Sequence, residues 1–218
     1  MSRSTPHRWS AVLGAALVAT VALVAVPGVA AEDGLPATLA YSHAASDVVV
    51  RYVELPGELA ETGGGTTLTI RGDGSATVHY PAYMRRAGDH TTALPRAEVD
   101  ALVASLFVKG VSQFDGSAVR QQLRSAETAR AAALTTGEGG VVLAAVTDAS
   151  TTIVELSLAA AVPAGATVLP QMVTHRAEWR GLRNDLAQHP SITALANLAA
   201  ARAELRTVID RVHTEATR

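Results

Sequence analysis

The order of local signals predicts an α+β fold: a mainly antiparallel sheet of about five strands with helices packed on one face. Two short segments of strand-forming residues are each closed by turns too tight for a parallel crossover. Each such hairpin is followed by a pair of segments with helical character, so strands and helices are segregated rather than strictly alternating. The chain has 218 residues, 48% of them hydrophobic, and no Cys. A chain of this length buries a sizeable core without disulfide staples, and one domain is the natural expectation.

The first strand is Asp47–Glu54, DVVVRYVE, rich in β-branched and aromatic residues and ended by Pro56-Gly57. ELAETGGG follows as a loop. TLTIRGDGSATV, from Thr67 to Val78, then poses a register question. A two-residue Asp73-Gly74 turn would oppose Ile70 to Thr77 and Leu68 to His79, mixing apolar with polar positions. A three-residue loop, Gly72-Asp73-Gly74, pairs Arg71 with Ser75, Ile70 with Ala76, Thr69 with Thr77, Leu68 with Val78 and Thr67 with His79. That register gives one apolar and one polar face, and it matches a type I turn followed by a left-handed residue, here Gly74.

HYPAYMRRAGDHTTA reads as an irregular loop. In LPRAEVDALVASLFVKG, Pro95 stands near a helix start, Val99, Leu102, Val103 and Leu106 share one face, and Gly110 supplies the stop. After the Phe114-Asp115-Gly116 break, SAVRQQLRSAETARAAAL is helical by propensity, with a thin apolar stripe. VVLAAV, a turn at Thr147–Ser150 and TTIVELSL read as a second hairpin, followed by the irregular AAAVPAGATVLPQ. Two helices are expected to close the chain: THRAEWRGLRNDLAQ, and ITALANLAAARAELRTVIDRVH with Ser191 as N-cap.

At the N-terminus, Arg3 and Arg8 precede an apolar run from Ala11 to Val26, broken by Pro27-Gly28. This is the layout of a secretory signal peptide. Small residues allow cleavage after Ala30 or Ala31, and Ala31 is preferred because the mature chain then opens with Glu32-Asp33. Residues 1–31 are thus assigned to the signal peptide and 32–218 to a single domain, periplasmic or secreted through the general export route. The alternative is an uncleaved anchor, since the uncharged run through Ala31 approaches the ~20 residues that span a bilayer, which would make the protein a membrane-tethered structural element. Without residues 1–31, 16 basic residues face 20 acidic ones. That balance argues against nucleic acid as partner. Seventeen Arg against the single Lys109, with abundant Ala and Gly, points to a GC-rich bacterial source.

The absence of Cys excludes thiol catalysis and thiolate metal sites. The tripeptide Arg71-Gly72-Asp73 matches an adhesion-receptor ligand, yet tight-turn chemistry explains both glycines and the Asp, so it reads as a turn. Asp73 lacks the alternating oxygen ligands of a calcium loop. His79, Asp89 and His90 gather around one loop, and His175 precedes Glu178 by three residues, but neither set has a zinc-binding spacing. Nucleophile elbows and phosphate-cradling glycine loops are missing as well. No catalytic residue, metal or cofactor is therefore assigned. A hydrolase built around Asp73, His79, Asp89 and His90 is kept as the enzymatic alternative.

The loop from Tyr80 to His90 concentrates two of the four Tyr with Met84 and the pair Arg85-Arg86. Tyr, Met and Arg are enriched at contact surfaces. Tyr83, Met84, Arg85 and Arg86 are the candidate binding residues; the plainer reading is that Tyr80 completes the apolar strand face while the arginines stay in water. The run LTIRGDGSATVHYPAYMRRAGDHTTALPRAEVDALVASL resembles a segment shared by uncharacterised exported proteins of Gram-negative bacteria, with a DG hairpin, a Pro-Tyr-Met loop and a helix. The resemblance covers Thr67–Leu106 and implies a genuine domain but no activity. The expected function is that of a non-enzymatic exported protein that binds another protein or an envelope component.

Overall fold

Successive side chains of a strand point to opposite faces, so pairing register alone decides which residues a sheet buries. The computed structural model describes residues 39–57, 64–134, 149–160 and 171–218. Six strands, β1 (Val48–Leu55), β2 (Thr66–Arg71), β3 (Ser75–Tyr80), β4 (Gly88–Ala93), β5 (Thr151–Ala159) and β6 (Met172–Arg180), form one sheet in the order β4-β3-β2-β1-β5-β6. Every neighbouring pair is antiparallel. The α+β architecture is as expected, with six strands among the described residues rather than about five.

One row across the sheet reads His90, Val78, Leu68, Tyr52, Val154, Ala177, and all but His90 are buried. The adjacent row on the other face reads Thr91, Thr77, Thr69, Arg51, Glu155, Arg176, and none of these is buried. Val53 and Ile153, opposite each other in β1 and β5, form a small buried apolar pair on that otherwise polar face. The covered face joins the apolar stripes of two helices in one core. Helix α1 (Arg96–Val108) contributes Val99, Leu102, Val103 and Leu106, the four positions its periodicity singles out.

Helix α2 (Gly116–Leu134) starts where the Asp115 carboxylate accepts the Ser117 and Ala118 amides at 2.8 and 3.2 Å, an N-terminal cap. Among its described side chains, the thin stripe seats only Val119 fully, with Leu123 half-buried. After the short α3 (Leu182–Gln188), α4 (Thr193–Ala216) buries Leu195, Leu198, Ala201, Leu205, Ile209 and Val212 and lies against β3 and β4. Ion pairs Lys109–Glu204 at 2.7 Å and Arg211–Glu98 at 2.5 Å tie α4 to α1.

Several local expectations are corrected. The second half of the supposed loop HYPAYMRRAGDHTTA is β4: its backbone pairs with β3, while Gly88-Asp89-His90-Thr91 carries no apolar alternation to announce an edge strand. THRAEWRGLRNDLAQ is not one helix. Its first half belongs to β6, Gly181 at φ +78° turns the chain, and α3 follows. Trp179, Leu182 and Leu186 mimic helical spacing, whereas His175, Ala177 and Trp179 face inward with period two. The cap of α4 is Ile192, in extended conformation, and Ser191 makes no capping bond. VVLAAV lies outside the described residues, as do the signal peptide and the loops at 58–63 and 161–170. TTIVELSL, the other half of that expected hairpin, lies in β5, which pairs with β1 on one side and β6 on the other.

The Arg71-Gly72-Asp73 turn adopts the expected three-residue register, with four of the five predicted pairs present; Arg71 and Ser75, at the mouth of the loop, are not paired in the ladder. Gly74 is left-handed at φ +88°, its amide donates to the Arg71 carbonyl at 3.0 Å, and the Asp73 carboxylate accepts the Ser75 amide at 2.9 Å. Arg71 donates to the Ala45 carbonyl at 3.4 Å, tying the strand end to the segment before β1, while the Asp73 carboxylate serves the turn. A Cβ on Gly74 would lie 2.6 Å from the Leu94 carbonyl oxygen. Left-handed strain and this clash together predict that Gly74→Ala destabilises the protein by about 2 kcal/mol, a fall in Tm on the order of 4–8 °C by calorimetry for a domain of this size.

Candidate functional site

Glu54 follows Tyr52 by two residues and therefore points to the covered face, where a lone carboxylate would be costly. Helix α4 supplies its partners. Arg202 Nη2 donates to Glu54 Oε1 at 2.5 Å, the Tyr52 hydroxyl donates to Oε2 at 2.9 Å, and Arg206 Nη1, one helical turn on, lies 3.6 Å from Oε2. Burial pushes the Glu54 carboxyl up. The hydrogen bonds from Arg202 and Tyr52 and the charges of Arg202 and Arg206 outweigh it, holding the pKa below the usual carboxylate range. Burial, with the charge of Glu54, raises the Tyr52 phenol.

Two clefts open on either side of this cluster, and both are lined by Glu54 and Arg206. One, about 320 Å³, runs toward Thr152, Gly181 and Asn184. The other, about 350 Å³, lies between α4 and the loop joining β3 to β4, with Tyr80, Met84, Arg85, Arg86, Ile209 and Asp210 in its wall. The loop is shaped by two tight turns, in which the Met84 amide donates to the Pro81 carbonyl at 2.9 Å and the Ala87 amide to the Met84 carbonyl at 3.0 Å. Tyr83 donates from its hydroxyl to the Gly64 carbonyl at 3.1 Å, and Thr66 Oγ1 lies 3.6 Å from Met84 Sδ.

Three of the four binding residues predicted from sequence, Met84, Arg85 and Arg86, thus line one cleft, and Tyr83 stands exposed beside it. Arg86 reaches Asp210 of α4 at 3.9 Å, a loose pair, while Arg85 is exposed with no ion-pair or hydrogen-bond partner among the described residues. Tyr80 is buried, and its hydroxyl likewise has no partner among them. Behind the loop, the rings of Tyr80, His90 and His213 meet edge to face with centroids 4.6–5.7 Å apart. His90 Nε2 donates to the Arg86 carbonyl at 3.1 Å.

A larger cleft of about 540 Å³ flanks β6, yet its side chains are already engaged. Arg176 pairs with Glu155 and Glu178, Arg120 stacks 5.8 Å from the Trp179 ring centroid, and the Trp179 indole donates to Asp185 at 2.7 Å. The cleft at the 81–87 loop is the stronger candidate because it retains uncommitted donors. The hydrolase alternative fares differently. His79 Nδ1 and Asp89 Oδ1 are 2.6 Å apart on the open polar face, His90 points to the covered face, and Asp73 is committed to the hairpin turn. None of the three clefts described above is lined by any of these four residues.

Sequence reasoning missed Glu54, Arg202, Arg206 and Asp210. The alternation that puts Tyr52 inward also puts Glu54 inward, and Arg202 and Arg206 are four apart on α4, but a charged strand end and a basic helix face ordinarily read as solvated. Compared with known proteins, the chain matches no family model, no curated protein and no solved structure.

Truncating Arg202 leaves Glu54 half-buried with its closest charge partner gone, so Arg202→Ala should cost about 2 kcal/mol in urea unfolding. Arg206→Ala, at a longer and more exposed contact, should cost under about 1 kcal/mol.

His213 is held below its ordinary value of 6.5, first by lost hydration and then by Arg86 and His90, against the opposing charge of Asp210. The folded state therefore resists its protonation, and stability present above the unfolded pKa falls as pH drops from about 6.5 through the lower folded value. Thermal melts should show a larger loss of Tm between pH 7.5 and pH 5.5 for the native chain than for His213→Gln.

Proposed function

We propose that the protein is an exported, non-enzymatic binding protein that engages another protein or an envelope component through the 81–87 loop and the cleft behind it. The observation that carries this reading is the coincidence, at one end of the sheet, of exposed Tyr83, Met84 and Arg85 with a cleft that holds unpaired donors. Exposed aromatic and Met side chains beside Arg are the composition of contact surfaces. The two turns and the Tyr83 bond to Gly64 hold the loop in shape, so little ordering cost is left for binding.

Export is supported by the Arg-flanked apolar run at residues 11–26 and the small residues before Glu32. The chemistry of the polar face also favours binding over catalysis, since the His79–Asp89 pair stands exposed on paired strands and lines none of the three clefts. No helix among the described residues is long and apolar enough to cross a membrane. The tethered alternative would depend on residues 1–31, and the intact mass of the native product distinguishes it from cleavage near Ala31.

The test is a thermal-shift titration of the purified protein with fractionated envelope extract. A ligand at a hundred times its Kd adds about 2.7 kcal/mol. A saturable rise in Tm that disappears in the folded double variant Tyr83→Ala/Arg85→Ala is the expected result. A rise that persists in that variant, or no response to any fraction, contradicts the proposal.

A further inference from the structure

We infer that the cleft between the 81–87 loop and α4 takes a small amphipathic carboxylate, with its apolar body against Ile209 and Met84 and its anionic head among Arg85, Arg206 and the Tyr80 hydroxyl. This ligand class rests on the reading of the loop as a binding surface and specifies what that surface recognises.

Charge is the first argument. Glu54 already takes its short bond from Arg202, leaving Arg206 a longer contact of 3.6 Å with most of its five donors unused. Arg86 is loosely held by Asp210, and Arg85 has no partner among the described residues. Guanidinium groups recognise carboxylates through paired donors. Glu54 and Asp210 border the same cleft, however, and oppose a second negative charge on the ligand. A monoanion fits this balance better than a phosphate dianion.

The second argument is independent of charge. Tyr80 is 6% exposed and its hydroxyl has no hydrogen-bond partner among the described residues, although Tyr80 belongs to the cleft wall. A buried unsatisfied hydroxyl destabilises the empty protein. The hydroxyl carries almost no exposed surface in the empty cleft, so a ligand oxygen reaches it only as the side chains around it shift, and in reaching it removes that penalty. Size is the third argument. A space of about 350 Å³ is at the lower end of small-molecule sites, suited to a short acyl or single-ring body.

Isothermal titration of the full chain with octanoate, octanol, acetate and inorganic phosphate tests the inference. Octanoate should bind saturably at one site, and each of the other three at least about tenfold more weakly, a difference of about 1.4 kcal/mol. Arg85→Ala and Tyr80→Phe should each weaken octanoate about tenfold, while Tyr80→Phe leaves the Tm of the unliganded protein unchanged or higher. Octanoate binding no tighter than octanol or phosphate overturns the inference, as does a Tyr80→Phe variant of undiminished affinity. If octanoate fails while Tyr83→Ala/Arg85→Ala still abolishes the response to envelope extract, the ligand class is wrong and the binding-surface reading stands. If octanoate binds as expected and the extract response survives that double variant, it is the wider reading that fails.

Discussion

A carboxylate that points to the covered side of a sheet has to be met by a cation, and the Glu54–Arg202 contact is where this protein meets that demand. Glu54 is the penultimate residue of the central strand β1, which pairs with β2 on one side and β5 on the other. Arg202 lies midway along α4, so the bond fixes the helix against the end of the sheet at which the loops and clefts gather. Apolar packing alone is non-directional. It would bury the Leu195–Val212 stripe, whereas the paired charges define where along the sheet that stripe sits.

The functional consequence follows from the arrangement of surplus groups around that contact. Because Arg202 and the Tyr52 hydroxyl already neutralise and satisfy Glu54, the next arginine along the helix is left with spare donors facing the 81–87 loop. The loop adds Arg85 and Arg86, and β3 adds the Tyr80 hydroxyl, which has no partner among the described residues. A region whose own polar groups balanced would hold the same fold with no reason to recruit a ligand. The β6 cleft illustrates that case, for it is larger but its arginines and indole have internal partners.

Legibility from sequence tracked the strength of local constraint. The Asp73-Gly74 hairpin could be read to the individual pair because a turn requiring a left-handed glycine and a period-two pattern pointed to the same register. Helix α1 was equally plain, with four apolar residues on one stripe between Pro95 and Gly110. Strand β4 was missed because an edge strand takes its stability from backbone pairing, and Asp89 and Thr91 face water. In β6, Trp179 satisfies both a two-residue and a helical spacing, and only Gly181 separates the strand from α3. The candidate site was half legible: Tyr83 to Arg86 stood out by composition, but Arg202 and Arg206 become functional only through a long-range contact with Glu54 that no local pattern encodes.

On the proposed function, recognition occurs between the loop and α4 and not on the polar face around Thr69, Thr77 and Arg51. Amide chemical shifts of the isotopically labelled protein, followed during titration with octanoate, test it most directly. Perturbations confined to residues 80–86 and 202–210 are what the account predicts. Perturbations centred on the open face, at Arg51, Thr69 and Thr77, would contradict it.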